Sequence, residues 1–326
     1  MRPVSFFRAS SIDDAVAAVS GHPDSAFLAG GTTEIDLLRL GVVQPNLLVD
    51  VNDLPLTYLE DIDDGGVRIG AMARMSDVAR APRIMERYPG MSQALLLGAS
   101  EQLRNMASMG GNMCQRTRCS YFRDPQSSCN KREPGTGCAA MNGINRGHAI
   151  LGTSDQCIAT HPSDVAVALV ALDATVRTIG PDGTRTIPIE DFFLRPEDTP
   201  NIEHPLAHGE LIVAIDVPNL PVARASRYVK HRDRASYEFA LVSVFSAMRV
   251  EDGTVAELRL ALGGVGTVPW RAHRAEAALV GRPATPENVA AAADAELADA
   301  RTTPMNAFKV TFAKRAIVRE LSEVTA

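Results

Sequence analysis

The chain has 326 residues, with 33 Lys and Arg against 39 Asp and Glu, a formal charge of −6 at neutral pH. Hydrophobic residues make up 45% and charged residues 22%, the balance of an ordinary globular protein with enough chain for two or three domains. The acidic balance argues against general binding to nucleic acid or to an anionic membrane surface, and no apolar run approaches the ~20 residues of a membrane span.

Residues 1–55 read as a small α/β unit. The start, Met-Arg-Pro-Val-Ser-Phe-Phe-Arg, lacks the apolar stretch of a secretory signal, so the chain by itself is expected in the cytoplasm. Ser11 precedes Ile12-Asp13-Asp14-Ala15-Val16, an N-cap followed by acidic residues in the first helical turn. Ala26-Phe27-Leu28 is strand-like and runs into Ala29-Gly30-Gly31-Thr32-Thr33; residues 35–40 have helical spacing, and residues 47–51 return as a strand.

From 56 to 222 the pattern is one of short strands alternating with helices. Residues 67–71 read as a strand, 75–80 and 91–97 as helices, and 164–172 as a buried helix. A hairpin follows, with strands at 174–179 and 184–187 around the turn Gly180-Pro181-Asp182-Gly183. Between 223 and 326 antiparallel strands are expected at 227–231, 239–249 and 255–262, the last two joined by Glu251-Asp252-Gly253. An Ala-rich helical region ends the chain, with Pro283, Pro286 and Pro304 expected at helix starts.

Two stretches offer chemistry for an anionic ligand. Leu28-Ala29-Gly30-Gly31-Thr32-Thr33-Glu34 puts two glycines and two hydroxyls between a strand and a helix, where backbone N–H groups can approach a phosphate. A plain Gly-Gly turn is the competing reading. Ala107-Ser108-Met109-Gly110-Gly111-Asn112 repeats the pattern, and two such loops could clamp a dinucleotide from opposite sides. Gly135-Thr136-Gly137-Cys138-Ala139-Ala140 matches a dinucleotide fingerprint by letter, but no strand precedes it and it sits among cysteines.

All five cysteines, Cys114, Cys119, Cys129, Cys138 and Cys157, fall in one irregular stretch of 114–157. The spacing lacks the paired Cys-x2-Cys knuckles of structural zinc sites, and an iron–sulfur cluster tolerates it because the cluster itself bridges the ligands. Arg116, Arg118, Arg123, Lys131, Arg132 and Arg146 surround the thiols with few acids nearby, a balance suited to an anionic centre or to a solvated docking face. Disulfides, a zinc site and unligated thiols remain open. His148 and His161 are nearby, but four thiols suffice. No local signature of Ser-His-Asp or paired-carboxylate catalysis is present, so no catalytic residue is assigned.

The order of Ala29-Gly30-Gly31-Thr32, then residues 104–112 (Arg-Asn-Met-Ala-Ser-Met-Gly-Gly-Asn), Ser163-Asp164, Lys230-His231-Arg232 and Leu262-Gly263-Gly264-Val265-Gly266 resembles one family across essentially the whole chain. It is similar to the FAD-binding medium subunit of molybdenum hydroxylases, the group containing xanthine dehydrogenase and carbon monoxide dehydrogenase. The insert carrying Arg118-Cys119-Ser120-Tyr121-Phe122 and Cys129-Asn130-Lys131-Arg132 resembles the FAD subunit of bacterial periplasmic aldehyde oxidoreductases, which adds a [4Fe-4S] cluster.

The resemblance implies an α+β protein: a two-subdomain FAD-binding fold of the vanillyl-alcohol-oxidase and carbon monoxide dehydrogenase flavoprotein type, then a C-terminal domain of small antiparallel sheet and helices. The units would be 1–55, 56–222 with the iron–sulfur loop at 114–157, and 223–326. It implies FAD held by Leu28, Ala29, Gly30, Gly31, Thr32 and Thr33, by Ala107, Ser108, Gly110, Gly111 and Asn112, and by Asp164 and Lys230. Cys119, Cys129, Cys138 and Cys157 would be the cluster ligands, leaving Cys114 as a small buried hydrophobe.

The implied function is electron transfer within a heterotrimer. A molybdenum-cofactor large subunit and a [2Fe-2S] small subunit would deliver electrons from aldehyde oxidation, and this chain would pass them to an external acceptor. Two rivals are an FAD/[4Fe-4S] subunit of an aromatic acyl-CoA reductase of the same family, and a metal-stapled scaffold with no redox role. Export alongside a signal-bearing partner would place the chain in the periplasm instead.

Overall fold

The structure, a computed structural model, describes residues 3–325; Met1 and Arg2 of the N-terminal stretch read for a leader lie outside them. Three sheets organise the chain. The first has strands β1 (Ser5–Arg8), β2 (Ser25–Leu28) and β3 (Leu47–Asp50), all parallel in the order β1-β3-β2. The helix Ile12–Ser20 packs beside it, and the Ser11 hydroxyl accepts from Asp14 N–H as its N-cap.

The second sheet has five strands, β4 (Leu59–Asp61), β5 (Val67–Gly70), β6 (Thr175–Gly180), β7 (Gly183–Pro188) and β8 (Leu211–Val217), in the order β4-β5-β8-β6-β7. All its pairings are antiparallel. The alternation expected over 56–222 is therefore not a strand-helix-strand repeat. Apart from the short helix Ile189–Phe192 between β7 and β8, the helices and the cysteine insert lie in the single connection between β5 and β6, and β5 closes on β8 with Val67 opposite Val217.

The third sheet has strands β9 (Arg227–His231), β10 (Val242–Glu251), β11 (Thr254–Gly263) and β12 (Trp270–Arg271), antiparallel in the order β12-β11-β10-β9. Asp252 and Gly253 both take positive φ, 49° and 76°, between β10 and β11, which is the backbone a two-residue hairpin of matching twist requires. Pro286 does open a helix, Pro286–Glu296, behind the Thr285 cap. Pro283 instead lies in an isolated bridge to Thr254, and Pro304 sits in the turn before the Phe308–Thr325 helix.

The cores follow the sheets with one exchange. Leu211 and Val213 of β8 pack with Ala15, Val19, Val49 and Val51 of the first unit, which fixes that unit against the second sheet. The helix Asp164–Ala171 is buried from Val165 to Ala171, so it packs on all sides, and Ser163 caps it by accepting from Ala166 N–H. No helix among the described residues is long and apolar enough to cross a membrane.

Candidate functional site

The first glycine loop leaves β2 and enters the helix Glu34–Leu40. Gly30 is pressed against the second loop: a Cβ there would lie 2.0 Å from the Met106 carbonyl oxygen. Gly31 holds φ at +69°, a left-handed value that glycine adopts without strain. Asn52 Nδ2 donates to Ala29 O at 2.9 Å and tethers the loop from outside. Among the described residues, the backbone N–H groups of Gly30, Gly31, Thr32 and Thr33 donate to no protein acceptor. All four residues are half-buried, and four neighbouring free donors between a strand and a helix can receive an anionic ligand.

The second loop spends its donors differently. Ser108 caps a short helix, Met109–Met113, by accepting from Gly111 N–H at 3.1 Å. Met109 N–H donates to Ala73 O, Gly110 N–H to Ala71 O and Asn112 N–H to Ser108 O. A Cβ on Gly110 would meet the Ala71 Cβ at 2.9 Å, so this glycine serves packing against the strand end. The Ser163 hydroxyl donates to Asn112 Oδ1 at 2.6 Å and ties the loop to the Asp164–Ala171 helix. What this loop presents is its Ser108 hydroxyl and small surface, rather than a row of free amides.

Both loops line one cavity of about 900 Å³, near the upper end of the roughly 300–1,000 Å³ of small-molecule sites. Ala29, Gly30, Gly31, Thr32, Thr33, Ala107, Ser108, Gly110, Gly111, Asn112 and Asp164 all line it. Leu28 and Lys230 do not. Leu28 ends β2 half-buried behind the loop. Lys230, its side chain 1% exposed, donates to Asp164 Oδ2 at 2.8 Å and to Leu97 O, and Tyr228 donates to Asp164 Oδ1 at 2.7 Å. Burial pushes the Asp164 carboxyl above its ordinary range, while Lys230 and Tyr228 pull it back.

The cavity also takes residues the sequence did not nominate. Glu34 follows the first loop directly, and burial raises its carboxyl against the pull of Arg116. Arg116 and Arg118 from the insert, and Arg234, Tyr237 and Phe239 from the segment after β9, close another wall. Arg118 stacks over the Phe239 ring, 5.3 Å from its centroid. Adjacency to the loop could have flagged Glu34; the residues after β9 carry no local signal.

None of the five cysteines is in a disulfide. Cys119, Cys129, Cys138 and Cys157 line one small void, together with Phe122, Asn130 and Lys131. Cys114 is not part of it; it packs against the main core and lines the large cavity, and burial pushes its thiol up to about 12. The void is held by side chains rather than by a sheet. Asn130 Oδ1 accepts from Gly135 and Gly137 N–H, Thr136 Oγ1 accepts from Cys129 N–H, and Cys129 and Cys138 meet in an isolated bridge. Arg132 donates to the carbonyls of Tyr121, Phe122 and Ser127. His148 Nε2 lies 3.2 Å from Cys119 Sγ, and His161 lies outside the void. Among the described residues no set of three or more His, Cys, Asp or Glu side chains is placed to hold a single metal ion.

The basic surplus around the thiols is partly offset by three acids from elsewhere in the chain. Arg116 and Lys131 pair with Glu203, Arg118 and Arg123 with Asp36, and Arg146 with Asp233. Burial pushes Glu203 up, but Arg116 and Lys131 outweigh it and leave the carboxyl below its ordinary range. Three carboxylates serve five of the six cations and Arg132 has none, so the shell keeps a cationic surplus.

The family model for the FAD binding domain in molybdopterin dehydrogenase matches residues 2–220, and that for the CO dehydrogenase flavoprotein C-terminal domain matches 227–324. The chain belongs to the molybdopterin dehydrogenase flavoprotein family. It is 46% identical over 327 residues to the aldehyde oxidoreductase FAD-binding subunit PaoB of Escherichia coli strain K12, covering 100% of this chain and 99% of that protein. It is 28% identical to the glyceraldehyde dehydrogenase medium chain of Sulfolobus acidocaldarius, covering 85% and 81% of the two chains. Among solved structures, carbon monoxide dehydrogenase from Hydrogenophaga pseudoflava superposes with a TM-score of 0.76 at 26% identity, over 98% of this chain and 96% of that one. The flavoprotein is thus of the oxidoreductase type, with an FAD-binding fold and a C-terminal domain of antiparallel sheet and helices.

Proposed function

We propose that this chain is the electron-transfer subunit of a molybdenum-containing aldehyde oxidoreductase and holds both FAD and a [4Fe-4S] cluster. Its partners are a molybdenum-cofactor large subunit, where the aldehyde is oxidised, and a [2Fe-2S] small subunit that supplies electrons. An external acceptor receives them. The compartment follows the partners: cytoplasmic for the chain alone, periplasmic if a signal-bearing partner carries it out.

The observation that carries this reading is the convergence of four thiols on one void beside a dinucleotide-sized cavity, with the fifth thiol packed elsewhere. The donor set, four thiols without a carboxylate, suits a soft iron–sulfur centre. Such a cluster interposes its iron and sulfide core between ligands, so its cysteines stand farther apart than those around one ion. FAD, when bound, supplies the exchange between one-electron and two-electron chemistry, and the cluster supplies single-electron transfer.

This chain's own residues bind and position. The amides of Gly30, Gly31, Thr32 and Thr33 would receive the pyrophosphate oxygens, with Ser108 lining the same cavity. Asp164, fixed by Tyr228 and Lys230, would orient the adenine-ribose side. Cys119, Cys129, Cys138 and Cys157 would ligate the cluster, with Cys129 and Cys157 buried and Cys119 and Cys138 half-buried. The pair Cys129→Ser and Cys114→Ser tests the ligand set. Cys129→Ser is expected to lose most of its iron, and Cys114→Ser to keep it. Full iron in Cys129→Ser would sink the assignment.

A further inference from the structure

The helix Glu34–Leu40, which follows the row of free amides, does not rest on the core of its own unit. Leu37, wholly buried, packs instead with Phe122 and Cys129 of the cysteine insert, with Val42, Val43 and Cys119 around them. The neighbouring Asp36 accepts from Arg118 at 3.0 Å and from Arg123, both on the insert. These contacts bracket the thiols. Arg118 and Cys119 are adjacent in sequence, Arg123 ends the short helix Ser120–Arg123 that Cys119 begins, and Cys129 shares one buried cluster with Leu37 and Phe122. Arg118 also lines the large cavity. Two of the four thiols of the void therefore sit against the element that aims the first loop.

On the reading proposed above, we infer that the two cofactor sites are thermodynamically coupled, with Asp36 as the positioning residue that joins them. Cluster loading fixes Cys119 and Cys129, and with them Phe122, Arg118 and Arg123. That sets the helix Glu34–Leu40 and pre-orders the amides of residues 30–33 for the flavin pyrophosphate. An ordered cradle binds more tightly because less conformational freedom is lost on binding. Reciprocity requires that FAD tighten cluster retention by the same factor.

The test uses the full chain, stripped of flavin, in cluster-loaded and cluster-free forms, with iron counted in each. The FAD dissociation constant is read from flavin fluorescence. Loading is expected to tighten FAD binding by roughly tenfold, within the ~5–150-fold span of coupled sites. Asp36→Asn is expected to load the same iron and still bind FAD, but with the loaded-to-free ratio reduced to about one. A merely structural role would lower iron, flavin and melting temperature together and leave that ratio unchanged. Arg123→Lys serves as the second variant if Asp36→Asn does not fold. Equal dissociation constants in the unaltered chain, or an undiminished ratio in the variants, would overturn the coupling while leaving both cofactors in place. A chain that takes up no iron would overturn the proposed function itself.

Discussion

The cavity lined by the two glycine loops is walled by segments spread between Asp24 and Phe239, including the start of β8 and the segment after β9. The cysteine void beside it has one turn of helix and a single isolated bridge. In the cavity, backbone geometry does the holding: strand ends and helix starts place the amides. In the void, side chains do it, with Asn130, Thr136 and Arg132 satisfying the backbone of a segment that forms no ladder. The difference teaches that the cavity is formed by the ends of regular elements, whereas the void depends on side-chain polar contacts for its order.

Three substitutions would break or sharpen that comparison. The largest effect is expected at Gly30, where a Cβ would meet the Met106 carbonyl at 2.0 Å. Gly30→Val should purify without bound flavin yet retain iron, seen by absorbance and metal analysis on one sample. Loss of both would show that the two regions do not separate. Next is Lys230→Met, which strands the buried Asp164 carboxylate without its cation. Breaking a buried pair costs about 3–5 kcal/mol, so the denaturation midpoint should fall clearly, with flavin lost before iron.

The smallest effect concerns the insert's outer support. Lys309 is buried and donates to the carbonyls of Gly147, His148 and Gly264, and burial pushes its amine down to about 7 from the ordinary 10.5. Above pH 7 the unfolded chain therefore binds more protons at this residue than the folded one, and stability from this group rises with pH through the window from 7 to about 10. Between pH 7 and 9 the rise is on the order of 1–2 kcal/mol, given about 1.4 kcal/mol per pH unit at most. Lys309→Met should flatten the rise, measured as denaturation midpoints at the two pH values. An unchanged slope would refute the assignment.

Features whose cause is local were legible in the sequence. The Ser11 cap, the Asp252-Gly253 turn and the Asp164–Ala171 helix each follow from a few adjacent residues. Strand β1 was not legible, because all four of its residues are exposed and show no alternation. The antiparallel second sheet was also hidden, since β5 and β8 lie far apart in the chain. At the site, the two glycine loops look alike as strings, yet one keeps its amides free and the other spends them on Ala71, Ala73 and Ser108. The three acids that temper the cationic shell were hidden for a related reason: Asp36, Glu203 and Asp233 arrive from distant segments.

The most direct measurement is a visible absorption spectrum of the isolated protein, with iron, zinc and flavin counted on the same sample. The account predicts flavin bands over a broad iron–sulfur shoulder, with about four irons and one FAD per chain as a [4Fe-4S] centre requires. Flavin without iron would contradict the cluster, and zinc with neither iron nor flavin would contradict the electron-transfer role altogether.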